Sequence, residues 1–78
     1  MKLYVLRTCP YCQHVLHYIQ ENGINIDIVE VPRDHGARTD LQQVSGQTYV
    51  PTLVDGDTLI ADDDDRIIAY LKDAARPD

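Results

Sequence analysis

Two cysteines three residues apart, Cys9 and Cys12, mark the junction between a strand-length apolar run and a helical stripe, and this junction constrains the fold more than any other feature. Lys2 to Leu6 reads as a strand, with Leu3, Tyr4, Val5 and Leu6 apolar without a break. Arg7 to Tyr11 reads as a loop, and Cys12 to Asn22 as a helix closed by Gly23 as its C-terminal cap. Cys9 then lies at the start of that helix, where backbone N–H groups lack partners and the helix dipole is positive. Both features favour a thiolate over a thiol, so Cys9 is the expected attacking sulfur. Pro10 suits the first helical turn, where no N–H is needed. Cys12 opens the stripe Cys12, Val15, Leu16, Ile19, the face that must cover a sheet, so its thiol is expected to be buried and to act second.

Seventy-eight residues suffice for one domain, 1–78, and one modest core. Apolar residues make up 44% of the chain, but Trp and Phe are absent, so the core must be built from Ile, Val, Leu and Tyr. The run after Met1 is too short for a secretory leader or a membrane span, so the expected location is the cytoplasm, with no membrane partner. In a compartment that keeps thiols reduced, two cysteines at this spacing point to a redox pair rather than a structural disulfide. The competing chemistry is half a zinc site, with His14 and His17 as the other ligands. On a helix from Cys12, His14 points away from the cysteine stripe and His17 lies more than one turn on, so the four groups do not converge. Both histidines are expected to face solvent, and no metal is expected.

Asn25 to Val31, rich in β-branched residues, reads as a second strand, and Pro32-Arg33-Asp34-His35-Gly36 breaks it before a helix around Ala37 to Val44. Val50-Pro51-Thr52-Leu53-Val54 and Thr58-Leu59-Ile60 form two short antiparallel strands about the Asp55-Gly56 turn. From Asp62 the chain turns helical, with Ile67, Ile68, Leu71 and Ala75 at helical spacing behind an acidic first turn, and the tail from Arg76 frays. The balance of 7 Lys+Arg against 13 Asp+Glu, a net charge of -6, argues against nucleic acid as a partner. Most of the acid is Asp and Lys is scarce; that bias suits a protein working in high salt, and equally a merely acidic surface.

The order β-α-β-α-β-β-α, with the cysteine pair after the first strand, resembles the thioredoxin fold, an α/β architecture with a four-stranded mixed sheet flanked by helices. Thr8-Cys9-Pro10-Tyr11-Cys12 before a helix, then Tyr49-Val50-Pro51, then an acidic helix start, resembles glutaredoxin over nearly the whole chain. The resemblance implies a thiol-disulfide oxidoreductase in which Cys9 attacks and Cys12 resolves. Its reductant would be glutathione or a related γ-glutamyl thiol, and its partners disulfide-containing or glutathionylated proteins. The resemblance further implies a cis Val50–Pro51 bond packed against the cysteines, with Val50 offering its backbone to the cysteinyl part of glutathione. Asp63 and Asp64 match the positions that hold the γ-glutamyl ammonium, the alternative being that Asp62 to Asp65 only cap a helix. Tyr11 belongs to the same implied glutathione site, and Arg7 stands where it reaches a glutathione carboxylate or solvent. The chain departs from the pattern in three places: Ala61-Asp62 replaces the usual Gly-Gly, Tyr49 the usual threonine, and the basic residue stands two positions before Cys9.

Val50 to Asp57 with Ile67 to Leu71 is also similar to the N-terminal domain of glutathione transferases. Those enzymes need a following helical domain to hold the electrophilic substrate, so a chain ending at Asp78 is not expected to be a transferase. Two further readings share the cysteine motif: a glutaredoxin-like protein reduced by thioredoxin reductase, and a carrier in which Cys9 from two subunits and two glutathiones hold a 2Fe–2S cluster. Pro10 and Tyr11 weigh against the carrier, and a monomer is expected.

Overall fold

Three successive residues of the first strand, Leu3, Tyr4 and Val5, are all buried in the computed structural model, which describes residues 1–74. Side chains alternate along a strand, so burial of three in a row requires cover on both faces, and this strand must lie inside the sheet. The elements run β1 (Lys2–Val5), α1 (Pro10–Asn22), β2 (Asp27–Glu30), a 3-10 turn (His35–Ala37), α2 (Thr39–Ser45), β3 (Thr52–Asp55), β4 (Thr58–Ala61) and α3 (Asp64–Ala74). The sheet order is β2-β1-β3-β4, with β1 parallel to β2 and antiparallel to β3, and β3 antiparallel to β4. This is the mixed four-stranded sheet with three helices that the thioredoxin resemblance implies.

The register sets Ile28, Leu3, Leu53 and Ile60 in one row across the four strands. That row joins a single core with Val15 and Ile19 of α1 and Ile67 and Leu71 of α3. Each such side chain, taken fully out of water, contributes about 2 kcal/mol. Tyr4 and Thr52 lie opposite one another on the other face, where Tyr4 and the buried Leu41 of α2 line a common cleft.

Several boundaries differ from the sequence expectation, each for a local reason. Helix α1 begins at Pro10 and not at Cys12, because Pro10 is pre-set for the first turn and Cys9, extended at φ -80 and ψ 126, serves as its N-cap residue. Strand β1 ends at Val5, since the Leu6 carbonyl turns to accept the Cys9 N–H at 2.9 Å. Strand β2 is shorter than Asn25 to Val31, although Val31 still donates to the Val5 carbonyl at 2.8 Å. Before α2 the Asp34 carboxylate accepts the Gly36 N–H at 3.0 Å and forms the 3-10 turn, which delays the helix from Ala37 to Thr39. Val50 and Pro51 precede β3 rather than open it, and their peptide bond is cis. Helix α3 starts at Asp64, because Asp62 adopts a positive φ of 55° that no helix tolerates. Gly23, left-handed at φ 60, closes α1 as expected. The expectations for Ala75 and for the tail from Arg76 lie outside the described residues. Among those described, no helix is long and apolar enough to cross a membrane.

Candidate active site

The turn from β1 into α1 puts the two sulfurs in different surroundings. Cys9 is half-buried at the helix N-cap, where its side chain makes no capping bond. Proline at the first helical position offers no N–H, and the Tyr11 and Cys12 N–H groups have no acceptor within the helix. The first backbone bond of the helix is Gln13 N–H to the Cys9 carbonyl at 2.9 Å. The half-buried sulfur thus sits at the positive end of the helix. Cys12, one turn in, is fully buried, and its Sγ accepts the Leu6 N–H at 3.4 Å. Burial pushes the Cys12 thiol up to about 12; the Leu6 N–H opposes this, and the hydrogen bond and charge of Cys9 add to it.

Across from the dithiol helix stands the segment before β3. Val50 is buried in the core, and the cis Pro51 carbonyl accepts the Asp62 N–H at 2.9 Å. Tyr11, Pro51, Asp62 and Asp64 line a cleft of about 270 Å³ between these parts. Its polar lining is carboxylate and phenol, which suits a cationic group on whatever enters.

The residues singled out from the sequence divide between this cleft and other tasks. Tyr11, Pro51 and Asp64 line it, with Tyr11 63% exposed. Asp63 is used elsewhere: its Oδ1 accepts the Arg66 N–H at 3.1 Å and caps α3. Arg7 pairs with Glu30 of β2, Nε to Oε2 at 3.4 Å, with both side chains exposed, and is not among the cleft residues. Asp64 is shared, since His14 Nδ1 of α1 lies 2.6 Å from its Oδ2. The hydrogen bond from His14 holds the Asp64 carboxyl below the usual carboxylate range.

Sequence reasoning missed Asp62 as a cleft residue and the His14–Asp64 tie. The signal for Asp62 was the departure from Gly-Gly: an aspartate stands where a left-handed backbone favours glycine. Both histidines are exposed, as expected, yet His14 reaches α3, while His17 pairs with Glu21 one turn on at 3.0 Å. Among the described residues His14, Asp64 and Asp65 bring ligand-type atoms within 4.8 Å of one another; the two cysteines take no part in that group.

Comparison with known proteins agrees with the fold. Residues 3–78 match the family model described as glutathione S-transferase, N-terminal domain. A relative described as an uncharacterized glutaredoxin-like 8.6 kDa protein in the rubredoxin operon of Clostridium pasteurianum is 30% identical over 61 residues, 77% of this chain and 81% of the relative. Among solved structures, a class Gtt2 glutathione S-transferase of Vibrio parahaemolyticus superposes over 100% of this chain with a TM-score of 0.77 and 30% identity. Human glutathione transferase theta-2, solved in complex with glutathione, covers 99% of it with a TM-score of 0.83 and 24% identity, a likeness of fold. The chain spans 39% and 32% of those two transferases. It therefore belongs to the glutathione S-transferase N-terminal domain family and is a glutaredoxin-like protein of the thioredoxin fold.

Proposed function

We propose that the chain is a glutaredoxin-type thiol-disulfide oxidoreductase whose dithiol, Cys9 and Cys12, reduces glutathione mixed disulfides and protein disulfides. The observation that carries this reading is the asymmetry of the pair: one sulfur half-exposed at a helix end, the other buried one turn behind it. The Cys9 thiolate attacks the glutathione sulfur of a mixed disulfide; the protein–glutathione S–S bond breaks, and the protein thiolate leaves and takes up a proton. Cys9 now carries glutathione. Either a second glutathione thiolate attacks that sulfur and leaves as glutathione disulfide, or Cys12 attacks Cys9, closes the intramolecular disulfide and expels glutathione. In both routes two electrons reach the substrate from thiols that end as a disulfide.

Two of the factors that hold Cys12 as a thiol, the hydrogen bond and the charge of Cys9, vanish once Cys9 is bonded to glutathione. Burial, the largest factor, remains, so bonding of Cys9 to glutathione eases formation of the Cys12 thiolate only in part. The reductant is read as glutathione or a related γ-glutamyl thiol. Val50 supplies backbone to its cysteinyl part, and the carboxylates of the cleft, Asp64 and Asp62, receive its ammonium. Asp63 contributes by starting the helix that carries Asp64, and Arg7, paired with Glu30 beside the β1–α1 turn, reaches a glutathione carboxylate by exchanging that partner. The match of residues 3–78 to a family described as glutathione S-transferase, N-terminal domain, supports the choice of thiol. The reading includes a cytoplasmic, monomeric protein of one domain that needs no metal.

Reduction of a glutathionylated peptide, driven by glutathione with glutathione reductase and separately by thioredoxin reductase, tests the proposal. Turnover is expected with glutathione, none in Cys9→Ser, and partial retention in Cys12→Ser. Turnover with thioredoxin reductase alone would replace the reductant, and turnover in Cys9→Ser would remove the mechanism.

A further inference from the structure

Arg38 is only 4% exposed, yet among the described residues no carboxylate lies within ion-pairing distance of it. A buried guanidinium is tolerated only where its donors are met. Here carbonyls meet them: Nε donates to Pro32 at 2.7 Å, one Nη to Thr48 at 2.7 Å and the other to Arg33 at 3.3 Å. His35 closes the cluster, its Nδ1 being 3.1 Å from the Thr48 hydroxyl oxygen. Arg38 thus ties the loop between β2 and α2 to residue 48, two positions ahead of the cis Val50–Pro51 bond.

The same short segment is fixed from its other end, where the Asp62 N–H donates to the Pro51 carbonyl at 2.9 Å. Between these anchors Gln47 Oε1 accepts the Tyr49 N–H at 2.6 Å, and the Thr52 hydroxyl donates to the Tyr49 carbonyl at 2.8 Å. An apolar side chain would fill the space of Arg38 with less desolvation, so its gain is geometric: a rigid fork of donors joins three carbonyls of separate residues. Lysine, with a single nitrogen, does not span them.

We propose that Arg38 is a positioning residue for thiol-disulfide exchange, strapping Thr48 so that the Tyr49–Val50–Pro51 backbone is held beside the dithiol where the substrate sulfur docks. The assignment rests on the oxidoreductase reading for what docks there. The charge of Arg38 also opposes, as the smallest factor, the upward push that burial gives Cys12.

The test compares wild type with Arg38→Lys, which keeps the charge, and Arg38→Gln, which removes it. Amide hydrogen exchange at Tyr49 and Asp62 should rise about tenfold or more in both variants while core amides such as Leu3 and Leu53 change little. KM for the glutathionylated peptide should rise about fivefold with kcat nearly unchanged, and alkylation of Cys9 by iodoacetamide, which does not use the strap, should stay within about twofold. Exchange that rises equally in the core, a KM that stays fixed, full rescue by lysine, or failure of both variants to fold would make Arg38 a stability residue and overturn the assignment. A wild-type chain without activity would overturn the oxidoreductase reading instead, and the exchange measurement would then decide the strap by itself.

Discussion

Cys9 and Cys12 differ by burial and by hydrogen bonding, and alkylation reads that difference directly. Burial pushes Cys12 up to about 12 and also shields it, so iodoacetamide should label Cys9 at neutral pH and leave Cys12 unlabelled until strongly alkaline conditions. Equal labelling of both at neutral pH would contradict the burial argument. Asp62 offers a second test, because its left-handed backbone and its place in the cleft make opposite demands. Asp62→Gly should relieve the backbone and leave stability equal or higher by up to about 1 kcal/mol, while raising KM for the γ-glutamyl thiol severalfold. A melting temperature that falls with KM unmoved would take Asp62 out of the site. The contrast in burial between Cys9 and Cys12 was legible in the sequence because it depends on spacing within one turn of helix. Asp62, His14 and Arg38 were not, because their roles depend on a backbone angle or on partners that only folding brings near; His14 and Asp64 are fifty residues apart in the chain.

At the scale of elements, α3 is the helix whose start decides what its aspartates do. Because Asp62 is non-helical, the cap falls on Asp63, and Asp64 and Asp65 form the first turn, where negative charge meets the positive helix end. Asp63→Ala should cost about 1 kcal/mol of stability with KM for the thiol unchanged, measured by chemical unfolding beside steady-state kinetics. A large rise in KM with stability intact would return Asp63 to the binding site. The order and type of the elements were readable from apolar spacing and turn residues, whereas the cap position was hidden, since four aspartates in a row are equivalent until one takes a positive φ.

Helices α1 and α3 pack together, and His14 Nδ1 with Asp64 Oδ2 adds a polar tie across them. Asp64 is held below the ordinary carboxylate range, so the tie adds stability above that range and loses it as pH falls through the depressed value. His14→Ala should therefore lower the melting temperature at neutral pH, and the difference from wild type should close in acid. A difference that persisted unchanged at the lowest pH would show that packing, not the tie, was lost.

For the whole molecule, the sheet order and the β1–α1 turn bring Cys9, Cys12, the cis Val50–Pro51 segment and the start of α3 into one region, although they span positions 9 to 64. The fold was legible because thioredoxin-type connectivity follows from element order, and family membership agrees with it. The identity of the attacking sulfur is the claim on which the functional account stands. Mass analysis of Cys12→Ser incubated with a glutathionylated peptide tests it directly. One glutathione should be bound, located on Cys9, with release of the free peptide thiol and removal of the adduct by added glutathione. An unmodified protein, or a Cys9 bonded to the peptide instead of glutathione, would contradict it.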